Sequence, residues 1–195
     1  MGTAGMNRSN FAANNGLEAD KNGKVLPLKL SAQDIIRWLR LKPHPEEGGY
    51  YSETYRSRET ISPACLPDRY GSARSLGTAI YYLLTPDTCS RIHRLKSDEV
   101  FHFYLGDPVT LLLLEPDHAG RTLILGPDLI GGQHLQAVVP RNVWQGSFLN
   151  PGGEFALLGT TVAPGFDYAD FEHGVRDDLL RQFPDQVDLI CRLTR

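Results

Sequence analysis

The chain has 195 residues, 41% of them hydrophobic and 22% charged, enough apolar material for one domain with a substantial core. A net charge of −3 leaves no basic excess to neutralise phosphates, so nucleic acid is excluded as the main partner. No run approaches the ~20 apolar residues of a membrane-spanning helix, and the N-terminus lacks the apolar stretch of a secretory leader. Three scattered cysteines suit reduced thiols, so a cytoplasmic protein is expected, with no membrane partner.

Residues 1–28, rich in Asn, Gly and Ala and without periodicity, are expected to form a flexible tail ahead of a single domain over 29–195. Ser31 and Asp34 read as the start of a helix whose apolar face is Ile35, Ile36, Trp38 and Leu39. It should stop near Leu41, ahead of Pro43. From Gly48 the texture changes to short strands: "GGYYSETYRS", "LGTAIYYLLTP", "EVFHFYLG", "VTLLLLEP", "RTLILG", "LQAVVP", "GSFLN" and "GEFALLGTTVAP". "SPACLPDRYGSAR" reads as a loop. "DHAG" and Asn150-Pro151-Gly152-Gly153 read as turns. "VRDDLLRQFPDQVDLICRL" returns to helical spacing. Strands with tight turns and no helices between them imply an antiparallel sandwich or barrel, and the mouth of such a barrel suits a small-molecule site.

The stretch "SRIHRLKSDEVFHFYLG" carries the most chemistry. Residues two apart on a strand share a face, so Glu99, Phe101 and Phe103 should point one way and Val100, His102 and Tyr104 the other. A carboxylate in line with two phenylalanines needs a partner. His93, across the short "RLKSD" connection, can meet it as a fellow metal ligand or as a general base that it orients. Alternatively, Glu99 pairs with Arg94 or Lys96 at the rim. If His93 and Glu99 do meet at an open mouth, the carboxylate should raise the imidazole above its ordinary value of about 6.5.

Other candidates are distributed along the chain. Tyr50 or Tyr51 offers a flat apolar face with a hydroxyl, and Arg56 a site for a carboxylate or phosphate. Phe101, Gln136, Trp144 and Gln145 are candidates for the pocket wall. His44, between two prolines, and His134 read as loop residues, and the paired acids Glu46 and Glu47 as a solvated loop. His118 and His173 read as solvated, and His102 as a packed strand residue facing away.

His93 to Gly106 resembles the first cupin motif, H-x-H-x(3,4)-E-x(6)-G, with Leu95 in place of the second histidine. "PRNVWQGSFLN" resembles the second, with Gln145 in place of its histidine. Further, "HPEEGGYYSETYRS", "AIYYLLTP", "HRLKSDEVFHFYLGDP", "VVPRNVWQGS" and "TVAPGFDYADFE", in that order over roughly residues 31–185, resemble the cupin subfamily DUF985, or Cupin-5. The resemblance implies a cupin jelly-roll β-barrel or sandwich with a leading helix and a short C-terminal helical segment. It also implies a homodimer, and the edge around residues 48–60 is expected to cover the partner's. The ligand would be a small polar or anionic metabolite. Cupin metal sites use three histidines and a glutamate, and two of those positions are Leu95 and Gln145 here. His93 and Glu99 would therefore hold a divalent ion only weakly, and no cofactor is expected. The chain is also similar to the dTDP-sugar 3,5-epimerase branch, which implies an alternative role as a metal-independent isomerase with His93 as base and Glu99 orienting it. The Tyr-Lys pair of that branch is absent, as Leu157 and Leu158 stand in that region.

Overall fold

The computed structural model describes residues 30–115 and 120–194, and the backbone of two short strands before them. These are β1 (Leu17–Ala19) and β2 (Val25–Pro27), which pair antiparallel with Leu17 opposite Pro27 as a unit of their own. The rest of the tail expected over 1–28 lies outside the described residues, as do His118 and the tip of the "DHAG" turn.

The main unit starts with α1 (Ala32–Leu39), which buries Ala32 and Ile35. Trp38, expected on the apolar face, is exposed instead. Helices α2 (Arg176–Gln182) and α3 (Val187–Leu193) close the chain, and no helix of the described residues is long and apolar enough to cross a membrane.

Between them lie two larger antiparallel sheets. One has the order β11 (Arg121–Leu125), β10 (Val109–Leu114), β13 (Trp144–Leu149), β8 (Cys89–Leu95), β15 (Phe171–His173). The other runs β12 (Gln136–Val139), β9 (Asp98–Gly106), β14 (Ala156–Ala163), β7 (Thr78–Leu84), β4 (Tyr50–Arg56), β3 (Lys42–Pro43). A two-residue ladder, β5 (Thr60–Ile61) with β6 (Arg74–Ser75), closes the base of the expected 62–74 loop. The two sheets pack face to face as a sandwich.

Two apolar clusters follow from strand parity. Tyr82, Leu84, Phe101, Phe103, Leu111, Leu113 and Leu158 fill the space between the sheets. Ile92, Leu112, Leu114, Trp144 and Phe148 project from the other face of the five-stranded sheet, where Leu179, Phe183, Ile190 and Leu193 of the C-terminal segment cover them. Strand β10 therefore buries both faces, which is why "LLLL" shows no alternation.

Candidate functional site

The site is assembled from strands of both sheets and two connections. On β9, Glu99, Phe101 and Phe103 are buried while Val100, His102 and Tyr104 are not, the parity expected from the sequence. Glu99 lies 7% exposed; its Oε2 accepts a 2.6 Å hydrogen bond from Nε2 of Gln145, and Thr160 on β14 also hydrogen-bonds it.

His93 belongs to β8, a strand missing from the expected set because its inward positions are Ser90, His93 and Leu95 and show no clean apolar alternation. Gln145 faces His93 and Ser147 faces Ser90, so Gly146 on β13 stands opposite both Arg91 and Ile92 on β8, a bulge. The imidazole is 1% exposed and stacks on Phe171 with centroids 4.9 Å apart. Its Nδ1 lies 2.8 Å from the Arg91 carbonyl, which can only accept. Neutral His93 thus keeps its proton on Nδ1 and a bare lone pair on Nε2.

The β3–β4 connection supplies the part that the sequence hid. Gly48 and Gly49 have φ of +94° and +68°, and a Cβ at Gly48 would stand 2.6 Å from the Cys89 carbonyl, so the chain folds tightly against β8. The fold-back buries His44 and turns Glu47 inward, although both read as loop residues. The His44 Nδ1 accepts from the backbone N–H of Glu47 at 3.0 Å and of Glu46 at 3.3 Å. Neutral His44 therefore carries its proton on Nε2, 3.6 Å from Oε1 of Glu47. The same oxygen lies 3.9 Å from Nε2 of His93, and Oε2 accepts from the Ser90 hydroxyl at 3.2 Å.

Above this floor is a cavity of about 430 Å³, lined by Lys42, His44, Glu47, Tyr51, Glu53 and Arg56 on one side and by Glu99, Thr160 and Leu95 below. Phe166, Asp167 and Tyr168, from the β14–β15 connection, form the remaining wall. That wall is fastened twice. Arg56 Nη1 donates to the Phe166 carbonyl at 3.0 Å. The buried pair Arg74–Asp170, with contacts of 2.6 and 2.7 Å, holds the end of the connection.

The positions expected from the sequence divide clearly. Glu99 and Arg56 line the cavity, and His93 and Gln145 stand directly behind its floor. Tyr51 lines it rather than Tyr50, because Tyr50 has the opposite parity on β4. Phe101 lies deeper, in the core between the sheets. Gln136 is exposed on β12, its Nε2 3.1 Å from Nδ1 of the outward His102. Trp144 does not wall the cavity: parity on β13 sends it under the C-terminal helices, with the Arg94 guanidinium 4.3 Å above its ring. Arg94 itself pairs with Glu172 at 2.8 Å and Lys96 lies 3.8 Å from Asp170, so the rim pairing considered for Glu99 does not form. His173 is partly exposed, 2.9 Å from Glu46.

Burial sets the electrostatics. It holds His93 below the ordinary histidine value, against the opposing pull of Glu99. The expected rise is thereby reversed, because the imidazole sits behind the floor instead of at an open mouth. Burial likewise pushes Glu47 up, and it pushes Glu99 up with help from the neighbouring Glu47 carboxylate. His44 is lowered, also by burial first. The favoured state has neutral imidazoles and carboxyls reluctant to ionise.

The family described as Cupin superfamily (DUF985) matches residues 33–174, and the chain belongs to it. Uncharacterized protein YML079W of Saccharomyces cerevisiae is 35% identical over 150 residues, covering 72% of this chain and 73% of that one. Two solved structures superimpose with a TM-score of 0.76. A hypothetical protein from Leishmania major is 32% identical, over 85% of this chain and 99% of its own. Protein SO0799 from Shewanella oneidensis is 35% identical, over 86% and 99%. As to the metal that the fold family implies, the residues here do not fit a complete ligand set. Leu95 and Gln145 replace two ligands, and His44 presents an N–H to Glu47. Among the described residues no three His, Cys, Asp or Glu gather as ligands.

Proposed function

We propose that this protein binds a small polar metabolite in the cavity between its sheets. The observation that carries the reading is the cavity itself: about 430 Å³, with aliphatic and aromatic side chains set among charged ones on its walls and buried polar groups at its floor. Small-molecule sites have this character, a mostly apolar cleft with a few placed polar groups. A metabolite extract equilibrated with the protein, then washed and analysed by mass spectrometry, should show a compound retained by the wild type. The same compound should be lost from Thr160→Phe, which fills the floor. Equal retention by both would sink the reading.

A second reading, a metal-independent isomerase with His93 as base, draws support from the bare Nε2 lone pair of a neutral imidazole. Since Glu47 and Glu99 line the cavity and His93 does not, a ligand proton would reach His93 through one of them. Deuterium entering the retained compound in D2O, and not with His93→Gln, would favour this reading.

We also infer a homodimer. Strand β3 pairs only with Tyr50 and Tyr51, leaving residues 52–56 of β4 as an open edge among the described residues. Sedimentation showing a monomer at micromolar concentration would overturn it.

A further inference from the structure

We propose that the ligand of this cavity carries a primary or secondary ammonium group, which the floor binds between Glu99 and Glu47. This rests on reading the cavity as a ligand site. The floor is unbalanced in its hydrogen-bonding groups. Glu47 and Glu99 are both acceptors when ionised, and the neutral His93 adds an acceptor at Nε2. Gln145 gives its amide N–H to Glu99, and its Oε1, on a side chain 1% exposed, has no hydrogen-bond partner. Against these acceptors stand the Ser90 and Thr160 hydroxyls, the Gln145 amide and the Nε2–H of His44. Gln145 lies behind Glu99 and outside the lining, so its free oxygen adds to the acceptor excess of the floor without itself meeting the ligand. An ammonium is the complementary group: it is all donor, with no acceptor to leave unsatisfied.

The charges agree. Neither Glu47 nor Glu99 forms an ion pair with a lysine or arginine among the described residues; the pairs of Glu47 are with His44 and His93. Arg91 approaches Glu47 but addresses its backbone carbonyl. Of the two cations on the wall, Arg56 is held by both oxygens of Glu53. Lys42 lies 5.0 Å from the centroid of the Tyr51 ring. Asp167 adds a further carboxylate to the lining, its side chain accepting from the Ala169 N–H. With Glu47 and Glu99 ionised, a phosphate or carboxylate entering here would meet more negative than positive charge. A cation would supply the charge that two desolvated carboxyls lack. Tyr51, Phe166 and Tyr168 on the walls suit the carbon body of an amine and add attraction for its charge.

The test uses three probes with one phenyl body and different heads: 2-phenylethylamine, 2-phenylethanol and phenylacetate, titrated into the full chain near neutral pH and followed by two-dimensional NMR. The amine should bind at least about tenfold more tightly than the alcohol, and phenylacetate most weakly. Its shifts should centre on Glu99, Gln145 and Tyr51. Glu99→Gln and Glu47→Gln should each weaken the amine by about tenfold and leave the alcohol within about twofold, folding being checked by thermal melts. Phenylacetate binding as tightly as the amine, or both variants binding the amine as the wild type does, would overturn the ammonium assignment while leaving the cavity a ligand site. So would manganese(II) or zinc(II) binding that the amine cannot displace. Failure of all three probes to shift any cavity residue would overturn the assignment and count against the ligand-site reading with it.

Discussion

The two faces of the five-stranded sheet are built from the same strands and differ in what they bury. On β13, Trp144 and Phe148 go to the outer face and Gln145 and Ser147 to the inner one. On β8, Ile92 goes outward while Ser90 and His93 go inward. The outer face is sealed by helices, with an apolar cluster of nine buried side chains. The inner face, at the cavity end, buries acids, imidazoles and an amide, and leaves Gln145 Oε1 and Ser147 Oγ without partners. Apolar burial stabilises in proportion to area, whereas a buried polar group gains only when it is fully paired. One face of the sheet therefore contributes stability and the other spends part of it on a polar floor.

The largest effects should come from the outer face and from the buried ion pair that braces the cavity wall. Phe148→Ala removes a ring from the sealed cluster and should cost about 3–5 kcal/mol, read by urea unfolding. Ligand retention at temperatures where the variant is folded should be unchanged. Arg74→Met leaves the buried Asp170 only the longer contact to the half-exposed Lys96, at 3.8 Å, and should cost up to about 3–5 kcal/mol, with Arg74→Met/Asp170→Leu recovering most of it. If Arg74→Met alone were as stable as the wild type, the wall would not depend on that pair.

A smaller effect, opposite in sign, is expected on the inner face. Glu99→Leu/Gln145→Met replaces the buried hydrogen-bonded pair with apolar groups of similar volume and removes the unpartnered amide oxygen. Such exchanges are often neutral or stabilising, by about 1–4 kcal/mol. The double variant should match or exceed the wild type in urea unfolding and lose ligand retention. A clear loss of stability would mean that the polar floor supports the fold, and the contrast between the faces would fail.

The same contrast explains what could be read from the sequence. The two-sheet fold and the inward parity of Glu99, Phe101 and Phe103 follow from period-two patterning and turn residues, both local signals. Trp144 was misplaced because every residue of β13 is buried, so apolarity cannot distinguish its faces. Strand β8 gave no alternation because its inward face is polar. Glu47 and His44 looked like a solvated loop, as their burial depends on the tight approach of Gly48 to β8, a contact between segments about forty residues apart. The adjacent glycines were the one signal available, since a positive φ at both positions marks a chain reversal. The direction of the His93 shift was missed for the same reason: the depth of the site is set by that loop.

The smallest predicted effect is a pH dependence, and it separates the faces without altering packing. His93 and His44 are held below the ordinary histidine value of 6.5 in the folded chain. Between that value and their folded ones, the unfolded chain binds more protons, so stability falls as pH falls through the window. Glu47 and Glu99 are raised above 4.5, so between that value and their folded ones the native chain binds more protons. Their contribution is present at low pH and is lost as pH rises through their window. Each group contributes about 1.4 kcal/mol per pH unit that its window spans. The two classes oppose one another, and the wild-type profile should be flatter than either alone. Glu47→Gln/Glu99→Gln leaves only the histidine contribution, so its stability should climb as pH rises toward the ordinary histidine value of about 6.5. His44→Gln/His93→Gln should lose the acid-side decline and fall with rising pH. The groups facing this cluster that also carry charge or titrate include Glu46, Tyr82, Arg91 and His173, and all remain in every variant. The buried outer cluster contains no acid or imidazole, so Phe148→Ala should displace the whole profile downward and leave its shape unchanged. Urea unfolding of the four proteins across this range reads the comparison directly. A Phe148→Ala profile that differs in slope from the wild type, or glutamine variants that do not, would mean that the titrating groups governing stability lie elsewhere than the inner face.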